Sequence, residues 1–119
     1  MPVPSLNIII RGDLAGNSLE MQEFMILPTG AESFKESLRL GCEVYESLLK
    51  LLKKKFGLSA ANVGDEGQFG APQIRDEKYS LEIILEALKN SRHDGRVDIG
   101  LDVAASEFYD TKNKTYNFS

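Results

Sequence analysis

Apolar and polar positions alternate along the chain in patterns that change period from segment to segment. The run Leu-Asn-Ile-Ile-Ile at 6–10 predicts a short buried strand. Gly12, Asp13, Gly16 and Asn17 make the next stretch rich in turns, and 21–27, Met-Gln-Glu-Phe-Met-Ile-Leu, predicts a second strand stopped by Pro28 and Gly30. A connection of this length predicts that the two strands are antiparallel neighbours. A helix is predicted over 34–56. Ser33 followed by Glu36 is a capping-box pattern, and Phe34, Leu38, Tyr45, Leu48, Leu49, Leu52 and Phe56 recur at helical spacing. Lys53, Lys54 and Lys55 suit the negative end of the helix dipole, and Gly57 is a plausible stop. A loop with Gly64, Gly67, Gly70 and Pro72 leads to a second helix over 77–91, with Asp76 as cap and Leu81, Ile84, Leu85 and Leu88 as its apolar stripe. Asp94-Gly95 ends that unit. Over 96–104, Val97, Ile99, Leu101 and Val103 alternate with Asp98, Gly100, Asp102 and Ala104, the two-residue period of a strand. The tail from Asp110 to Ser119 is polar and weakly patterned. The order strand-strand-helix-helix-strand predicts an α/β chain, and the helix-to-strand step at 95–97 reads as the start of a repeating β/α architecture.

Composition narrows the function classes. The chain has 119 residues, 42% hydrophobic and 27% charged, which fits one compact domain with a core. Its net charge of −4 argues against a nucleic-acid partner, which needs a basic face. No apolar run approaches the roughly 18 residues of a membrane span, so no membrane partner is expected. The start, Met1-Pro2-Val3-Pro4-Ser5, lacks a charged n-region and an apolar h-region, so no secretory leader is expected. Cys42 and His93 are the sole residues of their types, which removes a disulfide framework, cysteine-rich zinc sites and most histidine-based schemes. Cys42 is expected to be a small packed residue, and His93 has no visible partner in the pattern. Carboxylates, lysines and glycine-rich loops remain for chemistry.

Three acids stand in unusual settings. Glu23 lies inside a strand and shares a face with Met21 and Met25, which suits a ligand site or an acid paired at a strand edge. Asp102 closes an apolar alternation near the C-terminal end of its strand. That end carries the site in β/α barrels, although a solvent-facing residue of a half-exposed strand fits the same pattern. Asp65-Glu66 lies between Gly64 and Gly67, either a loop that carries an acid into a site or a solvated acidic turn. Together these acids would suit acid/base work beside a hard divalent metal with oxygen ligands. The tripeptide Arg11-Gly12-Asp13 is a chance-level match to an adhesion motif. The sequons at Asn113 and Asn117 lack a secretory context.

Four blocks closely resemble the enolase family in order and near-family spacing: 1–5, Met-Pro-Val-Pro-Ser; 21–28, Met-Gln-Glu-Phe-Met-Ile-Leu-Pro; 63–67, Val-Gly-Asp-Glu-Gly; and 102–108, Asp-Val-Ala-Ala-Ser-Glu-Phe. The resemblance implies an incomplete enolase-type β/α (TIM-like) barrel, with 1–119 as the N-terminal portion of the catalytic barrel domain. A complete barrel takes about 250 residues. It implies a carbon–oxygen lyase, phosphopyruvate hydratase, that dehydrates 2-phosphoglycerate to phosphoenolpyruvate in glycolysis with Mg2+, in the cytoplasm, as a homodimer when complete. By position, Glu66 resembles the proton donor to the leaving hydroxyl. Glu23 resembles the acid that shares a water with it and contacts substrate, and Gln22 its substrate-side neighbour. Asp102 resembles the first of three carboxylate ligands to magnesium.

The chain departs from the family at two loops. Leu14 stands where the family has a histidine near the substrate phosphate, and leucine can neither hydrogen-bond nor carry charge. The segment Gly67-Gln68-Phe69-Gly70-Ala71-Pro72 is one residue longer than the family's. The proton-abstracting lysine, the other two magnesium carboxylates and the serine loop for a second metal have no counterpart in these residues. The 119 residues alone are therefore expected to be inactive. The rival reading is a non-catalytic enolase-like protein that acts by binding a partner.

Overall fold

A computed structural model describes residues 2–10, 21–58, 63, 67–70, 73–74 and 76–117. Strand β1 is Leu6–Ile10, β2 Glu23–Leu27, helix α1 Phe34–Phe56, α2 Glu77–Ser91 and β3 Asp98–Asp102. A 3-10 turn at Ala105–Phe108 and a small hairpin of β4 (Tyr109–Asp110) and β5 (Thr115–Tyr116) follow. The three longer strands form one sheet in the order β1-β2-β3, with β2 antiparallel to both neighbours. The β1–β2 pair is thus the antiparallel one the sequence predicts. The strand/helix succession is that of a TIM-like barrel that is not closed.

Local chemistry sets the helices. The Ser33 side chain accepts from the Glu36 amide at 3.1 Å, satisfying a donor in the open first turn. The reciprocal half of the capping box is displaced by one residue: the Glu36 carboxylate accepts from Glu32 N–H at 2.9 Å rather than from Ser33. In α2 the Asp76 carboxylate accepts from the Tyr79 amide at 2.7 Å. At the far end Gly57 takes φ 89°, a region glycine enters without steric cost, and its N–H bonds Lys53 O.

The buried stripe of α1 is Ser37, Leu40, Gly41, Val44, Leu48, Leu51 and Leu52, and that of α2 is Ser80, Ile83, Ile84, Ala87 and Leu88. Both stripes are rotated from the sequence reading. Phe34, Leu38 and Leu85 are exposed, because the face that meets the sheet and the other helix runs through Val44 and Ile83 instead. Ile8, Ile9, Phe24 and Ile26 meet the helices from the sheet, joined by Phe69, Ile74 and Val97. Each such side chain contributes roughly 1.5–3 kcal/mol through burial. A bulge between Asn7 and Ile9 buries both Ile8 and Ile9 and returns Ile10 to the side of Asn7.

The pairing also gives the sheet two unlike faces. Phe24 and Ile26, opposite Leu101 and Ile99, look toward the helices. Glu23, Met25 and Leu27, opposite Asp102, Gly100 and Asp98, look the other way and are half-buried.

Other differences from the sequence reading have physical causes. β2 starts at Glu23 rather than 21, because the Met21 amide is taken by the Glu77 carboxylate at 3.1 Å. β3 is Asp98–Asp102 rather than 96–104. It has the five-residue β2 as partner, and Ala104 turns into the left-handed region at φ 45°. Cys42 is exposed, since it lies beside Gly41 and outside the buried stripe. His93 is buried and its Nε2 bonds the Glu43 carboxylate on α1.

Candidate functional site

The register brings three strand ends into one row. Ile10 pairs with Glu23, and Glu23 pairs with Asp102. Ile10 closes β1, Glu23 opens β2 and Asp102 closes β3. Because β2 runs against its neighbours, its first residue lies at the end where theirs finish. This is the C-terminal end of β1 and β3, where β/α barrels carry their chemistry. The Glu23 and Asp102 side chains leave the sheet on the face that the helices do not cover.

Directly opposed residues in an antiparallel pair have Cβ atoms about 5 Å apart, and two like charges so placed repel. Glu23 is half-buried, and its carboxylate accepts no hydrogen bond among the described residues. Asp102 is exposed, and one of its oxygens accepts from the Ala104 amide at 3.0 Å. That bond spans Val103, leads into the left-handed Ala104 and orients the carboxylate at the end of β3. Gln22, half-buried, precedes β2 immediately. Sequence reasoning thus picks out Gln22, Glu23 and Asp102, and the structure brings them to one end of the sheet. Glu66, Asp65 and Leu14 lie outside the described residues.

Gly67 and Phe69, shortly after Glu66 in the chain, are anchored. Phe69 N–H donates to Ile8 O at 2.8 Å, and Phe69 O accepts from Ile10 N at 3.0 Å. Phe69 therefore runs parallel to β1 along the edge away from β2. Tyr45, counted in the sequence only as an apolar helix position, donates its hydroxyl to Gly67 O at 2.6 Å. A cavity of about 660 Å³ lies between α1 and α2, and its lining includes none of Gln22, Glu23 and Asp102.

The chain matches the family "Enolase, C-terminal TIM barrel domain" over residues 1–119. It is 55% identical over 117 residues to an enolase of Eimeria tenella, covering 98% of this chain and 26% of that protein. It is 53% identical over 119 residues to an enolase of Solanum lycopersicum and to enolase 2 of Hevea brasiliensis, covering 100% of this chain and 26% of each. The chain belongs to the enolase family. It spans about a quarter of the length of these relatives and corresponds to a partial enolase barrel.

An enolase-type metal can be tested against the side chains present. Asp102 is a hard oxygen donor with one oxygen uncommitted among the described residues, and the opposed Glu23 leaves negative charge for a cation to offset. Among the described residues, however, no group of three or more His, Cys, Asp or Glu could hold a metal ion. Magnesium demands near-octahedral oxygen coordination. The donor set fits part of such a shell and does not complete one. No described helix is long and apolar enough to cross a membrane.

Proposed function

We propose that residues 1–119 are the N-terminal portion of the catalytic barrel of a phosphopyruvate hydratase, which in a longer protein dehydrates 2-phosphoglycerate to phosphoenolpyruvate. The observation that supports this reading best is the row in which Glu23 stands opposite Asp102 on the uncovered face, at the end of the sheet where β/α barrels act.

In this reading Glu66 donates a proton to the departing hydroxyl, because hydroxide leaves poorly without an acid. The half-buried Glu23 carboxylate has no protein partner among the described residues, so it is available to a substrate hydroxyl or to a water shared with Glu66. Gln22, next to it, holds the same substrate through its amide. Asp102 contributes one carboxylate to a magnesium site whose other ligands come from elsewhere in the longer protein. The complete protein works as a cytoplasmic homodimer on this small-molecule substrate.

The test is a full-length enolase that carries these 119 residues in place of the matching stretch of the Eimeria tenella protein, assayed for phosphoenolpyruvate formation. The hybrid is expected to turn over. Glu66→Gln and Glu23→Gln are each expected to lower kcat by about 10²- to 10⁴-fold, the usual worth of a positioned acid or base. A hybrid without turnover, or variants within twofold of their parent, would overturn the reading.

A further inference from the structure

The ladder that holds β2 stops one residue short of Gln22. Glu23 is its last paired position, opposite Ile10 on one side and Asp102 on the other. β1 and β3 finish at those two residues, so no strand among the described residues pairs with Gln22 or Met21.

The next fixed point belongs to another element. The Met21 amide donates to the Glu77 carboxylate at 3.1 Å, between residues fifty-six apart in the chain. Glu77 is the first residue of α2, half-buried, in a turn fixed by the Asp76 cap at 2.7 Å from the Tyr79 amide. The positive end of the helix dipole favours a carboxylate at this position. A carboxylate also accepts from a backbone N–H more strongly than a neutral oxygen does. Met21 itself is half-buried and packs against the core. Gln22 therefore stands between two anchors, the sheet at Glu23 and α2 at Met21. Without the second anchor it would lie at the free end of a strand, where chains fray.

We propose that Glu77 is a positioning residue for Gln22: by holding the Met21 amide, it fixes the path of the chain into β2 and so the backbone that carries the Gln22 side chain. This inference rests on the reading of Gln22 as a substrate-binding residue. A binding group has to stay within about 0.5 Å of its productive place, so an anchor one residue away has leverage on substrate affinity.

Three variants of the full-length hybrid test this. Glu77→Ala removes the acceptor and is expected to raise KM for 2-phosphoglycerate about fivefold or more, with kcat within about threefold. Glu77→Gln keeps an oxygen at the same reach and is expected to hold KM within about twofold of the parent. Gln22→Ala is expected to raise KM at least as far as Glu77→Ala. A loss of folded protein lowers the apparent kcat and leaves KM alone, so the split separates positioning from destabilisation. A KM unchanged by Glu77→Ala but raised by Gln22→Ala would overturn the inference and leave the Gln22 reading intact. A harmless Gln22→Ala would overturn both. A Glu77→Gln variant as impaired as Glu77→Ala would overturn the inference by making charge at the helix start, and not the bond to Met21, the cause. Amide hydrogen exchange needs no turnover. In Glu77→Ala the Met21 amide is expected to exchange about tenfold faster or more, while Phe24 to Ile26 match the parent. Equal exchange at Met21 would show that Glu77 does not hold this end of β2.

Discussion

Glu43 ties α1 to the segment that leads into β3. Its carboxylate accepts from His93 Nε2 and, at 2.9 Å, from Arg39. Those contacts, the His93 bond first, hold the Glu43 carboxyl below the usual carboxylate value of 4.5. Glu36 is lowered in the same way, chiefly by the Glu32 N–H and then by Arg96 at 2.6 Å. A carboxyl with a depressed folded-state pKa adds stability that is present above its unfolded pKa and lost as pH falls through the folded one. The melting temperature of the full-length hybrid is therefore expected to fall between about pH 5 and pH 3. Glu36→Gln/Glu43→Gln is expected to start lower and fall less across that window. Parallel pH curves for parent and variant would remove these two acids from the cause. The sequence could not disclose this link. His93 and Glu43 are fifty residues apart in the chain, and no local period connects them. The same limit applies to Tyr45, whose helical spacing marks it as apolar while its hydroxyl finds Gly67 twenty-two residues away.

At the scale of elements, what was legible followed from how local the cause is. Both helices end where the sequence places them, 34–56 and 77–91, because Ser33 and Asp76 cap within three residues and the apolar repeat is continuous. Strand ends depend on a partner. β3 stops at Asp102, opposite the first residue of β2, although the alternation continues through Val103. Leu101 illustrates the cost of reading alternation alone: it lies on the predicted core face, yet it is 41% exposed near the end of an edge strand. The β4–β5 hairpin sits in a tail with no pattern at all. Its turn depends on the Asp110 carboxylate, which accepts from the Lys112 amide at 2.8 Å and from the Asn113 side chain at 2.7 Å. The cap at Ser33 gives one element-scale test: Ser33→Ala is expected to cost about 1 kcal/mol by denaturant titration. The approach of the loop after β2 to the segment before β3 gives another. Gly30 N–H donates to Arg96 O at 2.8 Å, and a Cβ on Gly30 would meet the Arg96 Cα at 2.8 Å. Backbone cannot swing aside as a side-chain end can. Gly30→Ala is accordingly expected to destabilise by roughly 1–3 kcal/mol, and a loss within 0.3 kcal/mol, about the scatter between independent sites, would mean that the two segments separate freely.

For the molecule as a whole, the sheet has one covered face and one open face, and β3 pairs with β2 alone among the described strands. An unpaired edge beside exposed Leu101 invites association. A polypeptide of residues 1–119 is therefore expected to self-associate as concentration rises, and a sharp melt from a monodisperse monomer would contradict this. The same openness governs metal binding. Magnesium sheds its water reluctantly and is held by one or two carboxylates together with substrate oxygens in a near-octahedral shell. Here Asp102 offers one carboxylate at the end of β3, with one oxygen already accepting from Ala104. Glu23 stands opposite it in the register, but two carboxylates alone leave most of the shell to water. In calorimetric titration the 119-residue polypeptide is expected to bind magnesium weakly, with Asp102→Asn changing the affinity by less than about threefold. In the full-length hybrid, where the proposed reading places the remaining ligands, the same substitution is expected to weaken binding by about tenfold or more, in the range seen when support for a metal ligand is lost. Tight binding by the short polypeptide, abolished by Asp102→Asn, would mean that the row at the open end of the sheet already encloses the ion and that the rest of the barrel is not needed to complete its coordination.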